Sequence, residues 1–139
     1  MKLTALAKVD SKGRITIPQA IREALDIEAG MFVILIADLN RREITVAPIF
    51  TSSDHLYELE VELQDRPGAL AKLTEALAEM GVDIVAARCA SVARYESANC
   101  LIIVDTSRSN ISEEALRKKL EELDIVTQVK TTKMRFRMD

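Results

Sequence analysis

Two stretches of this sequence carry residue types at spacings that could do chemistry. The first is Lys8-Val9-Asp10-Ser11-Lys12-Gly13-Arg14-Ile15-Thr16-Ile17-Pro18, with Arg22 a few residues on. Lys8, Lys12, Arg14 and Arg22 are charges that one turn and one helix start can present together. Lysine and arginine so placed contact phosphate oxygens, and arginine can also pair bidentately with guanine. The second is Gln64-Asp65-Arg66-Pro67-Gly68-Ala69-Leu70. Pro67 and Gly68 let the backbone turn tightly into a helix starting at Ala69. The first N–H groups of such a helix have no intrahelical partner and carry partial positive charge. That end can hold a carboxylate, and Asp65 could pair with an ammonium group, so an amino-acid zwitterion fits. Simpler roles exist for the same residues: Asp65 as a helix cap, Pro67 and Gly68 as turn formers, Arg66 as a solvated charge.

The elements that must position these residues follow from patterning. Leu3 to Val9 reads as a strand, and Ile15 and Ile17 alternate with Arg14 and Thr16 as a second, half-buried strand. Asp10 to Gly13 supplies turn chemistry between them. Pro18 suits the first turn of a short helix running to Leu25, with Ile21, Ala24 and Leu25 on one face. Gly30 is the turn residue that follows. Met31 to Ala37 and Glu43 to Ala47 are strands about a polar turn. This is too little chain for an independent core. Phe32, Ile34, Ile36, Ile44 and Val46 are therefore expected to be buried partly against a second copy.

Residues 51–54, with Phe50 before them, are polar and aperiodic and read as a linker between a segment at 1–50 and one at 55–139. In the second segment Leu59, Val61 and Leu63 alternate with Glu58, Glu60 and Glu62, a strand with one wet face. Leu70, Leu73, Leu77 and Met80 recur at helical spacing, and Gly81 stops that helix. Strands are expected over Val82 to Val92, Ala98 to Val104 and Val126 to Met138. A second helix between the last two is capped by Asn110 or Ser112, with Leu116, Leu120 and Leu123 on its stripe. The order βαββαβ is a ferredoxin-like unit, and the whole chain is α+β.

Composition narrows the function class. The chain has 139 residues and a net charge of −3, which argues against indiscriminate coating of nucleic acid. The balance is +1 over residues 1–53 and −4 over residues 54–139, so DNA binding has to come from local placement and from doubling by symmetry. The run Phe32 to Ala37 is far too short to span a bilayer, the N-terminus lacks a signal-peptide pattern, and a cytoplasmic protein is expected. Cys89 and Cys100 have no histidine or carboxylate cluster near them at metal-ligand spacing and read as two small core residues. His55 has no ordered Ser or Cys partner. Neither a phosphate-binding loop, a dinucleotide fingerprint nor a nucleophile elbow is present. A non-enzyme without cofactor or metal is expected.

The run Ala7 to Pro18, continued by Ile21-Arg22-Glu23-Ala24-Leu25-Asp26-Ile27-Glu28-Ala29-Gly30-Met31, resembles the signature of AbrB-type (SpoVT-AbrB) swapped-hairpin DNA-binding domains over about Thr4 to Ile49. The resemblance implies an intertwined β-barrel dimer that presents Lys8, Lys12, Arg14 and Arg22 to double-stranded DNA. Family members often carry basic residues where this chain has Ala7 and Glu23. Glu60 to Ala71, followed by Gly81-Val82-Asp83-Ile84, resembles an ACT domain over roughly residues 55 to 137. That resemblance implies a small-molecule site, of amino-acid class, at Asp65, Arg66, Pro67, Gly68, Ala69 and Leu70 together with Asp83 and Ile84, the two segments meeting when two domains pair side by side. The combined expectation is a homodimeric or higher-order transcription regulator that senses an amino acid. The alternatives are a regulatory or assembly subunit that controls a partner enzyme, and an antitoxin-like regulator.

Overall fold

The computed structural model describes residues 1–49 and 53–134, and the chain divides into two compact units, Met1–Phe50 and Thr51–Asp139. In the first unit the chain has no regular secondary structure up to Asp10, turns, and enters helix α1 (Gln19–Ala24) through Pro18 at its N-cap. The carbonyl of Pro18 accepts from the N–H groups of Ile21 and Arg22 at 3.1 and 3.0 Å. Helix α1 ends at Ala24 with Leu25 as its C-cap, where the sequence places its end. Asp26 itself takes φ +55, Ile27 N–H donates to the carbonyl of Arg22 at 2.8 Å, and Asp26 N–H donates to that of Glu23 at 3.4 Å. These are the paired bonds of a left-handed helix C-terminus.

Strands β1 (Val33–Asp38) and β2 (Glu43–Pro48) pair antiparallel in a two-stranded sheet. Asp38 Oδ1 accepts from the N–H groups of Asn40 and Arg41 in the turn between them. The register sets Leu35 opposite Val46 and Ala37 opposite Ile44 on one face, and Ile34 opposite Ala47 and Ile36 opposite Thr45 on the other. Ile34 and Ile36 are buried, whereas Leu35, Ile44, Val46 and Phe32 are exposed. Burial of Ile44, Val46 and Phe32 is thus not achieved within one chain. The expected strands over Leu3–Val9 and Ile15–Ile17 form no ladder, and the described residues contain no closed barrel. The reason is local: the turn closes a single rung, Asp10 N–H to the carbonyl of Arg14 at 3.0 Å, and its flanks have no further strand alongside.

The second unit starts with a 3₁₀ turn at Ser53–His55, so the expected linker is partly ordered there; Phe50 to Ser52 lie outside the described residues. Strands β3 (Leu56–Gln64), β4 (Asp83–Ala93), β5 (Ser97–Asp105) and β6 (Val126–Lys133) form an antiparallel sheet in the order β4-β5-β3-β6. Helices α2 (Ala69–Glu79) and α3 (Glu113–Glu121) supply Leu73, Leu77, Leu116 and Leu120 to a core that also holds Leu59, Val61 and Leu63 of β3 and Cys100, Ile102 and Val104 of β5. The alternation is as the sequence requires: Glu58, Glu60 and Glu62 lie on the other face. Ser112 caps α3, its Oγ accepting from Ala115 N–H at 3.1 Å. Strand β4 carries register shifts between Ile84 and Ala86 and between Ser91 and Ala93. Of the expected extension of β6 to Met138, Phe136 and Met138 lie outside the described residues. The two cysteines are not separate core residues. Cys89 and Cys100 are directly opposite in the β4–β5 register and are joined by a disulfide, a pairing that spacing alone does not give because it depends on register.

Candidate functional site

The basic cluster is organised by Asp10. Its Oδ1 accepts from the backbone N–H groups of Lys12 and Arg14, both at 2.9 Å, and its Oδ2 accepts from Arg14 Nε at 2.8 Å. Gly13, at φ +76, donates its N–H to the Asp10 carbonyl at 3.0 Å. A left-handed glycine after a short turn is the residue such a closing bulge demands. The Arg14 N–H first, and then the Arg14 guanidinium, hold the Asp10 carboxyl below the usual aspartate range. Arg14 is fixed through Nε, leaving the outer edge of its guanidinium to solvent, and its side chain is 70% exposed. Arg22 is fixed the same way: Nε donates to the carbonyl of Ile17 at 2.9 Å. Lys8 and Lys12 are exposed. Glu23 accepts from Gln19 Nε2 at 2.8 Å, so the acidic substitution in this stretch is engaged along α1. The turn and α1 can therefore offer two guanidinium groups held by their Nε atoms and two exposed ammonium groups to an anionic surface.

In the second site Asp65 is engaged within the chain itself. Asp65 follows β3 and turns toward the β4–β5 hairpin. Its Oδ2 accepts from Ser91 Oγ at 2.9 Å and from Tyr95 N–H at 2.8 Å, and its own N–H donates to the Glu96 carbonyl at 3.2 Å. The carboxylate is thus a brace for the hairpin rather than a helix cap. Tyr95 needs that brace: it sits at φ +67, a conformation costly for a bulky residue. Arg66 pairs with Asp124 at 3.1 Å, and Lys72 approaches the same carboxylate at 3.7 Å. The charge of Lys72 first, with the Arg66 hydrogen bond added, lowers the Asp124 pKa. Gly68 caps α2 at φ +86, and no side chain bonds to that cap. At the start of α2 the Ala69 N–H donates to the Arg66 carbonyl at 3.2 Å, the N–H groups just after it have no preceding helical turn to pair with, and Leu70 is exposed beside them.

Asp83 and Ile84 are not brought to this loop. The register places Asp83 opposite Asp105, which in turn is opposite Leu56, while Gln64 is opposite Ser97. The nine residues of β3 separate the two ends by roughly 27 Å at the usual rise of a strand. Asp83 and Ile84 instead line a cavity of about 490 Å³ together with Thr74, Ala78, Gly81 and Arg108. Arg108, Ser91 and Tyr95 went unnoticed in the sequence because each depends on a loop brought close by the fold. No group of three or more potential metal ligands occurs among the described residues, and no helix among them is long and apolar enough to cross a membrane.

Residues 57–123 match the ACT domain family, and residues 6–49 match the family described as antidote-toxin recognition MazE, bacterial antitoxin. No curated protein matches the chain. Both families are regulatory rather than catalytic.

Proposed function

For a chain that joins a MazE/AbrB-like N-terminal domain to a C-terminal ACT domain, we propose the role of a DNA-binding transcription regulator that responds to a small metabolite of amino-acid class. The observation that carries this reading is the Asp10-centred turn, which fixes Arg14 by its Nε and leaves the rest of that guanidinium exposed beside Lys8 and Lys12. The protein works in this reading as a cytoplasmic homodimer. A second copy supplies ladder partners for Leu3–Val9 and Ile15–Ile17, closes the swapped-hairpin barrel, and covers Leu35, Ile44 and Val46, all exposed in one chain. Doubling also turns a cluster of four basic residues into eight. Side-by-side pairing of two ACT domains sets Asp83 and Ile84 of one copy near the Asp65–Leu70 loop of the other, which reunites segments that one chain keeps apart.

The test uses the full chain, sheared genomic DNA and the common amino acids, singly and pooled. DNA binding that falls with salt and shifts roughly 5- to 150-fold with one amino acid is the expected result, a coupling of about 1–3 kcal/mol. Linkage requires the DNA to change amino-acid affinity by the same factor. No DNA binding at low salt would overturn the reading. A second reading, an antitoxin-like regulator that grips a toxin protein, is favoured by the family matched at residues 6–49. It predicts that a toxin protein, rather than an amino acid, changes DNA affinity.

A further inference from the structure

The disulfide between Cys89 and Cys100 closes a hairpin of sequence separation 11. Every bond described above between the β3–α2 loop and the β4–β5 hairpin falls inside that closed segment: Ser91 Oγ and Tyr95 N–H to the Asp65 carboxylate, and Asp65 N–H to the Glu96 carbonyl. Beyond the disulfide the ladder has a few rungs, Ala90 with Asn99, Ser91 with Ala98 and, past a register shift, Ala93 with Ser97. The two sulfurs also sit in different surroundings. Cys100 belongs to the core at 2% exposure, whereas Cys89 is exposed on an outer strand of the sheet.

We propose that Cys89–Cys100 is a thiol–disulfide exchange site, open to a dithiol reductant from the Cys89 side, whose state sets how firmly the hairpin tip holds the Asp65 loop. A thiolate of the dithiol attacks Cys89 Sγ and expels Cys100 Sγ as a thiolate, which takes up a proton. The second thiol of the dithiol, deprotonated, then attacks its own sulfur in the mixed disulfide and releases Cys89 as a thiolate, which is protonated in turn. The net exchange is one protein disulfide and one dithiol for two protein thiols and one oxidised dithiol. With the tie intact, the tip opens as a short, closed loop and recloses in register. With the tie cut, the few rungs beyond it fray with the outer strand, and the Asp65 brace frays with them. This inference goes beyond the regulator reading and stands without it.

The test is amide hydrogen exchange on the full chain, air-oxidised and then treated with dithiothreitol, alongside a thiol titration. Two thiols per chain should be released on reduction, and the Tyr95 amide should exchange about tenfold faster once they are. Cys89→Ser, at an exposed position, should show the fast rate with or without dithiothreitol. Asp65→Asn should show a fast Tyr95 rate even when oxidised, which identifies the brace as the bond being read. The proposal fails if no thiols are released, if the disulfide proves to link separate chains on non-reducing electrophoresis, or if Tyr95 exchange is the same in both redox states.

Discussion

In residues 53–134, thirteen side chains make one core in which Leu59, Leu73, Leu77, Leu116 and Leu120 expose no surface. In residues 1–49, Ile34, Ile36 and Ile49 are buried while Leu3, Leu6, Val9, Ile15, Leu25, Leu35 and Ile44 stand in solvent. The units also differ in how they hold their charged groups. The second uses carboxylates to tie distant segments, Asp65 to the hairpin and Asp124 to the start of α2. The first uses Asp10 to arrange its own next four residues. The difference teaches that the second unit builds a closed core alone, with only Leu70, Ile84, Val92 and Tyr95 among its described large apolar side chains left exposed, whereas the N-terminal unit is an oriented basic turn on a frame that leaves most of its apolar side chains in solvent. Covering them would be worth about 1.5–3 kcal/mol for each large side chain fully buried.

The largest effect expected from breaking this contrast is in the ACT core. Leu73→Ala should destabilise the second unit by about 2–5 kcal/mol in chemical denaturation. Leu35→Ala, at 65% exposure, should change stability by less than about 0.5 kcal/mol if its face is free. A larger loss that depends on protein concentration would identify Leu35 as covered by a second copy. Next come the oriented guanidinium groups. Arg14→Ala and Arg22→Ala should each weaken DNA binding while leaving the assembly intact. Phosphate contacts would flatten the salt slope by about 1 per arginine, whereas guanine contacts would cost ~1–3 kcal/mol on the preferred sequence. Unchanged binding in both variants would remove the turn from the interface.

Smaller still is the cap of α3. Ser112→Ala should cost roughly 1 kcal/mol, read by thermal unfolding of the full chain. The smallest effect is on pH. Asp10 and Asp124 both titrate below the ordinary aspartate value in the folded chain. Their contributions are therefore fully present above the unfolded pKa and are lost as pH falls through the lower folded pKa. Carboxyl NMR should show both midpoints on the acid side of a free aspartate. Arg14→Ala should return Asp10 toward the ordinary value, and Lys72→Ala and Arg66→Ala should each move Asp124 back toward it.

The βαββαβ order was legible because the alternation of Leu59, Val61 and Leu63 and the helical spacing of Leu73 and Leu77 are local signals that tertiary contacts reinforce. The flanks of the Asp10 turn show the limit of the same reasoning: Ile15 and Ile17 have strand periodicity, but a ladder needs a partner that one chain does not supply. The disulfide was missed because Cys89 and Cys100 meet only through register. Asp65 was legible as a carboxylate of note, but its bonds to Ser91 and Tyr95 were not, since those partners belong to a hairpin some thirty residues away. Asp83 and Ile84 follow the family pattern, yet the length of β3 keeps them from Asp65 within one copy.

The irregularities at both ends of β4 bear on solubility. An outer strand is a template on which stray chains can add, and a straight one would invite growth into filaments. In β4 the register shifts at Ile84/Ala86 and Ser91/Ala93 bend and twist the strand near each end, so the regular stretch offered to an incoming strand is about Ala86 to Ser91. A stretch that short limits the number of rungs an incoming strand can form along this edge of the sheet.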